Sequence, residues 1–467
     1  MTTIAVPVWL AVLGGLLAAW ALYERVMMPS LRWVIRSRAN KALDEFGSRL
    51  RISIRPFQQT RRQALIDLLA YDAKVQEAVA EHARASGMPR ELVTAQAHRY
   101  AREIVPAFNA YLYFRLGYWA ARRVAESLYR VRIGYVDERR LEGIPSEATV
   151  VFVMNHRSNM DYVLATYLAA DHAALSYAVG EWARIWPLQQ LIRAMGAYFV
   201  RRNSRDDLYR RVLERYVAMA TENGVTQALY PEGRLTRDGR IGEARLGVLD
   251  YMLRGFRTDG DRDLVFVPLA INYDRTLEDR SLLLALDPDA RRPGRARAVW
   301  NTLAFAVNQA SLAFRSKWKR FGYAGVNFGA PISMREYCAS RRLELARLAK
   351  EERFAHVGAL ARHLMDAVGA LVPVLPVPLV AAVLCDAPGR RFSEIELKAA
   401  VEALAERAER SGARICVPRT DLDEAVDAGL ETLALRRLVV REDGLYRAAP
   451  AESALLRYYA NSIAHLL

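Results

Sequence analysis

Cysteine is scarce in this 467-residue chain. Only Cys338, Cys385 and Cys416 occur, far apart in sequence. They form no metal-binding or redox pair, which points to a reducing compartment and to plain packing roles. Histidine is scarce too, with seven residues. His82, His98, His172, His356, His363 and His465 show no ligand spacing; they read as structural, and no metal site is implied. Acidic residues fall short of basic ones, 52 against 67, leaving a net charge of +15 and a pI near 9.8. That balance favours polyanionic partners: nucleic acid, anionic lipid or phosphorylated substrates. Internal repeats and long low-complexity tracts are absent as well. What is plentiful is apolar residues, 52% of the chain, with length enough for two or three domains.

Charge is missing from residues 4–23. Twenty apolar residues are about enough to cross a ~30 Å hydrocarbon core. The competing reading is a cleaved signal peptide. Against it, no basic residue precedes the run, and the run is long for a signal segment. Arg25, Arg32, Arg36, Arg38 and Lys41 follow it, and the positive-inside bias then puts the downstream chain on the cytoplasmic side. The expectation is a single uncleaved transmembrane anchor in residues 1–25, in the cell membrane. Residues 371–385 are also apolar but short, and Pro373, Pro376 and Pro378 break them. They read as buried protein rather than a second crossing.

Residues 26–130 read as a helical N-terminal region. Apolar residues recur at three- and four-residue spacing over 72–85 and 91–130, on either side of a Ser-Gly-Met-Pro break at 86–89. Tyr111, Tyr113, Phe114, Tyr118 and Trp119 crowd beside Arg115, Arg122 and Arg123. This is either an interfacial helix against lipid or a helix packed on the rest of the protein. Residues 131–390 alternate strand-like and helix-like runs. Strand candidates fall at 149–154, 175–179, 196–200, 225–230, 264–272, 282–286 and 323–328, which argues an α/β sheet flanked by helices. Residues 287–297 form a polar loop bearing Pro and Gly. In 391–467, Ser393 and Glu396 make a capping box before a helix to about residue 410. A second helix near 422–435 and a hairpin turning at Asp443-Gly444 follow. Helix, short strand, helix and hairpin resemble a small winged-helix module. Its acids largely balance its arginines, so protein packing is expected there rather than nucleic-acid binding.

The richest stretch is 150–162, VVFVMNHRSNMDY. The short apolar run is β-branched and aromatic, so it reads as a buried strand. Ser158 and Asn159 are helix-start residues, and an apolar helical pattern follows. His156 then sits at a strand-to-helix junction. On an ideal helix, residues five apart lie roughly 140° apart, at about 100° per residue. His156 and Asp161 can meet only if the histidine is off the helix and the aspartate is in its first turn. The carboxylate would then hold one imidazole nitrogen and leave the other free as a base. The duller reading is a structural His-Asp pair.

Three further blocks follow in order. Residues 180–202, GEWARIWPLQQLIRAMGAYFVRR, contain Arg193, Arg201 and Arg202. Arginine binds phosphate bidentately, although solvated surface arginines are the default for such pairs. Residues 230–240, YPEGRLTRDGR, place Pro231 and Gly233 at a turn where backbone N–H groups can approach an anion. Glu232 is either a brace for that turn or a partner for a substrate hydroxyl. Residues 267–273, VPLAINY, form a Pro268-bearing strand.

These four blocks resemble the glycerol-3-phosphate acyltransferase family. HRS-x-MDY matches its H-x-x-x-x-D signature, and W-P-x-x-x-x-I-x-R-x-x-G-A-x-F-x-x-R-R its second block. Glu232-Gly233 and Arg237 match its third block; Leu235 stands where an arginine is common, and Arg234 lies one place earlier. Which of Arg234 and Arg237 faces phosphate stays open. Segments 326–332, 374–379 and 455–467 extend the similarity over residues 70–467, whereas smaller lysophosphatidate acyltransferases usually lack such a C-terminal extension. The resemblance implies transfer of a fatty acyl group from acyl-CoA or acyl carrier protein to the sn-1 hydroxyl of glycerol 3-phosphate. His156 and Asp161 would be catalytic. Arg157, Arg193, Arg201, Glu232, Gly233, Arg234, Arg237 and Pro268 would bind substrate. It implies no cofactor beyond the acyl donor, no metal and no nucleic-acid partner, with membrane lipid as the surrounding partner. Lysophosphatidate or dihydroxyacetone phosphate are alternative acceptors, and a non-enzymatic membrane adaptor is the rival class.

Overall fold

The computed structural model describes residues 55–169, 174–180, 188–201, 204–286, 320–417 and 419–467. The expected anchor, Arg202, the start of the second block and the loop at 287–297 lie outside the described residues. After a single helical turn at Pro56–Gln59 come three longer helices, Arg62–Ala70 (α1), Ala73–Ser86 (α2) and Arg90–Ile104 (α3). Gly87, at φ 69°, ends α2 in the left-handed conformation glycine tolerates best. A π-helical turn, Leu112–Gly117, leads into Tyr118–Leu128 (α4).

An eight-stranded sheet follows. Its strands are Arg130–Val136 (β1), Thr149–Met154 (β2), Ser176–Val179 (β3), Tyr198–Phe199 (β4), Gln227–Leu229 (β5), Leu264–Tyr273 (β6), Tyr323–Phe328 (β7) and Ile332–Ser333 (β8). Their order is β1-β7-β6-β2-β5-β3-β4, with β8 against β6. From β6 to β4 every pairing is parallel; β7 and β8 run antiparallel to β6. Helices Met160–Ala169 (α5), Leu188–Ala194 (α6), Asp207–Glu222 (α7) and Gly247–Leu253 (α8) connect the parallel strands. The fold is therefore α/β with a mostly parallel sheet.

β2 and β6 read as unbroken apolar runs because both faces of the sheet are covered. Alternate side chains enter different cores. Val151, Val153, Leu264 and Phe266 pack with α1, α2, α3 and α7. Val150, Phe152, Met154, Val265 and Val267 pack with α4 and α5 on the other side.

Two readings are corrected. Residues 282–286 are not a strand; Asp279–Leu284 is a helix (α9). Leu282 and Leu283 pack on a neighbouring core while Leu284 is 59% exposed, a one-sided burial that a central strand cannot give. Conversely, β1 was not among the strand candidates; it is a largely exposed edge strand whose alternation, Arg-Val-Arg-Ile, is cut short by Gly134.

The C-terminal elements enclose a core of their own. Lys350–Ala370 (α10) leads to Pro373–Val374 (β9), which pairs in parallel with Arg414–Ile415 (β10). Pro376–Asp386 (α11), Glu394–Arg410 (α12), Leu422–Leu435 (α13), the hairpin Val439–Glu442 (β11) and Leu445–Ala448 (β12), and Ser453–Asn461 (α14) surround it. Residues from Val374 to Ile463 share this core. The Ser393–Glu396 capping box forms as expected. So does the Asp443-Gly444 turn, both residues having positive φ. Among the described residues no helix is long and apolar enough to cross a membrane.

Candidate active site

In parallel α/β sheets ligands gather outside the carboxyl ends of the strands. Here the ends of β2, β5 and β6 carry His156, Glu232 and Tyr273. The end of β2 is locked by Asn155, whose amide donates to the Ile271 carbonyl and accepts from the Ile271 N–H, both at 2.8 Å. The chain then leaves the sheet, and Asp161 opens α5.

His156 and Asp161 meet as the spacing required. His156 Nδ1 lies 2.9 Å from Asp161 Oδ2. The same oxygen accepts from the backbone N–H of Arg157 at 2.7 Å and of Ser158 at 3.1 Å. Asp161 Oδ1 accepts from the Tyr273 hydroxyl at 2.7 Å. Asp161 is fully buried, and four donors satisfy it, which is what keeps a buried carboxylate tolerable. Because the carboxylate only accepts, Nδ1 is assigned the proton and Nε2 the lone pair. The Tyr162 hydroxyl sits 3.3 Å from Nε2. The Tyr230 ring lies on the imidazole with centroids 4.4 Å apart.

Glu232 braces the site instead of facing it. Its Oε1 accepts from the His156 N–H and its Oε2 from the Gly242 N–H, each at 2.8 Å. Burial pushes its carboxyl up to about 7, against the pull of those two donors. Glu278 braces the other flank, accepting from the Ser158 hydroxyl and from the Asn159 backbone and amide.

A cavity of about 370 Å³ opens at the imidazole. His156, Tyr162, Tyr230, Gly233, Arg201 and Arg245 are among its walls. Of the expected substrate ligands, only Gly233 and Arg201 line it. Arg201 is already engaged, forking Glu103 through Nε at 2.9 Å and Nη2 at 2.6 Å. Arg193 donates to the Glu103 carbonyl and lies over the Phe199 ring. Arg237 makes a long contact to the Ala285 carbonyl, and Arg234 is exposed outside the cavity wall. Pro268 is buried within β6.

Arg157 turns away from the cavity. It is 2% exposed, donates to the Gly239 carbonyl at 2.8 Å and lies over the Tyr458 ring of α14. Its Nε and Nη2 have no hydrogen-bond partner among the described residues. Gly239 itself, at φ 89°, presses so closely on α14 that a Cβ would fall 1.9 Å from the Tyr458 carbonyl oxygen. Asn461 adds a bond to the Asp238 carbonyl. The C-terminal core thus braces the first and third blocks from behind. Tyr273, Glu278 and Arg245 were not singled out from the sequence. Tyr273 ends a block that was, but Glu278 lies in an unremarkable loop and Arg245 is one of 67 basic residues.

Two family models match the chain. Residues 136–272 match "Acyltransferase" and residues 310–467 match "Glycerol-3-phosphate acyltransferase C-terminal region". The glycerol-3-phosphate acyltransferase of Alteromonas mediterranea is 26% identical over 424 residues, 87% of this chain and 49% of that protein. That of Xanthomonas campestris pv. campestris is 26% identical over 427 residues, 88% of this chain and 46% of its own length. The chain therefore spans about half the length of these curated relatives. A 1-acyl-sn-glycerophosphate acyltransferase of known structure from Thermotoga maritima superposes with a TM-score of 0.31 and 16% identity, covering 55% of this chain and 76% of that one. A superposition so loose carries no argument about the site. The two matched regions, the span of the relatives and the four blocks in their order agree: over most of its length this chain is similar to the glycerol-3-phosphate acyltransferase family.

Proposed function

We propose that this chain transfers a fatty acyl group from an acyl thioester to the sn-1 hydroxyl of glycerol 3-phosphate, giving lysophosphatidate in the first step of phospholipid synthesis. The observation that carries the reading is the His156–Asp161 pair at the wall of a cavity, with Nδ1 held by a buried carboxylate and Nε2 toward the hydroxyl of Tyr162, which lines the same cavity. An alcohol is a poor nucleophile near pH 7. Neutral imidazole within about 3 Å takes its proton as attack begins, typically worth about 10²–10⁴-fold. Asp161 fixes the tautomer and stabilises the imidazolium, as the carboxylate does in Ser-His-Asp sites. The proton then passes to the departing thiolate. The acceptor supplies the nucleophile, so no acyl-enzyme intermediate and no cofactor beyond the acyl-CoA or acyl carrier protein is required.

Membrane placement belongs to the same proposal: a single anchor in residues 1–25 with the catalytic region, residues 131–390, on the cytoplasmic side. The helical region before it supports lipid contact. Tyr113 and Phe114 are buried, whereas Leu116 and Trp119 are about half exposed beside the exposed Arg115, Arg122 and Arg123. Apolar and basic side chains on one outward face suit an anionic bilayer surface. Residues 391–467 serve as a winged-helix-like packing module.

The test offers glycerol 3-phosphate and lysophosphatidate, with one labelled acyl-CoA, to detergent-purified protein. Glycerol 3-phosphate should release free thiol and yield labelled lysophosphatidate, and His156→Ala should abolish both. A kcat/KM for lysophosphatidate at least tenfold higher would overturn the choice of acceptor. No turnover with either would favour a membrane adaptor.

A further inference from the structure

The cavity at His156 has three arginines among its described walls: Arg201, Arg210 and Arg245. Two are already neutralised. Arg201 forks the Glu103 carboxylate, and Arg210 pairs with Asp207 one turn away. Arg245 alone of the three has no hydrogen bond or ion pair from its guanidinium to any described residue. Its backbone is nevertheless fixed, for its N–H donates to the Pro231 carbonyl at 2.8 Å. That bond sets Arg245 beside the Glu232-Gly233 turn. Gly233 has φ 65°, and a Cβ built there would lie 2.9 Å from Arg245 Cδ. The absent side chain at 233 is thus what allows the Arg245 stem to cross the turn.

We propose that Arg245 is the specificity-determining cation of the cavity, binding the phosphate monoester of the acceptor while its hydroxyl faces His156 Nε2. This rests on the acyl-transfer reading above. It reassigns the phosphate contact from Arg193, Arg201 and Arg237 to a residue outside the four blocks. The physical reason is one of commitment. A guanidinium bound bidentately to a carboxylate must break two charge-assisted bonds before it can bind a second anion. An exposed guanidinium loses only water. Its planar fork matches two phosphate oxygens, which an ammonium does not. Gly233 then has a role beyond turn geometry, because any side chain there displaces the cation.

The experiment compares wild type, Arg245→Ala, Arg245→Lys and Arg201→Ala. Steady-state KM is measured for glycerol 3-phosphate and for acyl-CoA separately. Binding of glycerol 3-phosphate is also measured by calorimetry in a His156→Ala background, where chemistry is removed. Arg245→Ala should raise the acceptor KM, and the calorimetric Kd, at least tenfold. The acyl-CoA KM should stay within twofold. Arg245→Lys should recover part of the loss, because it restores charge without the fork. Arg201→Ala should lower thermal stability through loss of the Glu103 fork. Arg245→Ala is exposed and should melt like wild type; if it does not, Arg245→Gln takes its place. An acceptor KM within twofold of wild type, or equal rises for acceptor and donor, overturns the assignment. The acyl-transfer reading fails separately. If wild type acylates only lysophosphatidate, the KM for lysophosphatidate, which carries the same headgroup, judges Arg245.

Discussion

Tyr273→Phe isolates a single bond at the heart of the site. Asp161 Oδ2 has three donors, but Oδ1 is held by the Tyr273 hydroxyl at 2.7 Å. Both residues are fully buried. Burial and the Asp161 charge hold the Tyr273 phenol well above its usual range, so it stays an O–H donor at any working pH. Phenylalanine keeps the ring, including its contact with the Tyr129 ring at 5.2 Å, and opens no cavity. What is lost is one hydrogen bond to a buried charge, worth about 1.5–3 kcal/mol. The imidazole keeps its bond to Oδ2, so we expect a fall in kcat of roughly tenfold, set against the much steeper loss of about 10⁴-fold typical when such an aspartate becomes asparagine. The assay pairs urea denaturation with thiol release from acyl-CoA. Tyr129→Phe is the control. Its hydroxyl donates to the Arg275 carbonyl at 2.7 Å, a neutral bond away from Asp161. It should cost about 0.5–1.5 kcal/mol and leave kcat unchanged. A Tyr273→Phe protein as stable and as fast as wild type would refute the idea that this hydroxyl holds Asp161 in place.

Four further outcomes are expected. Gly239→Ala should destabilise by roughly 2–5 kcal/mol, from positive φ and from collision with the Tyr458 carbonyl, and should lower kcat by shifting Arg157. Gly389→Ala, also at positive φ but with open space around it, should cost only about 1 kcal/mol and spare activity. Glu232→Gln tests the braced carboxyl. Its pKa is raised from 4.5 to about 7, so the folded state holds a proton that the unfolded chain releases between those values. Wild-type stability should therefore fall relative to the variant as pH rises from 5 to 7.5, by up to about 3 kcal/mol. A constant gap in urea midpoints would mean Glu232 is ionised throughout. Replacing Leu116 and Trp119 together by serine should weaken binding to anionic vesicles in a flotation assay while turnover on detergent-solubilised substrate stays near normal; unchanged flotation would remove this helix from the lipid surface.

Local pattern made the His156–Asp161 pair legible. The run Thr149–Met154 is apolar on both faces, so it had to be a central strand. A helix starting at Met160 then brought residues 156 and 161 together. The capping box at Ser393 and the Asp443-Gly444 turn were readable for the same reason: each depends on bonds or dihedrals within a few residues. Side-chain destinations were not readable. Arg157, Arg193, Arg201 and Glu232 have the chemistry of substrate ligands, and a sequence cannot say whether such a group meets solvent or a protein partner first. Glu103 lies about a hundred residues before Arg201, and Tyr458 about three hundred after Arg157. Only the folding of α3 and α14 against the sheet edge supplied those partners. Arg245 escaped notice for the opposite reason, since a cation unpaired among the described residues is defined by what fails to reach it. The sequence by itself determined where the central strands and the His-Asp junction fall, because those follow from periodicity and short-range geometry. The tertiary structure decided which charges are spent on holding the protein together and which remain free for a substrate, because that balance is set by contacts between residues far apart in the chain.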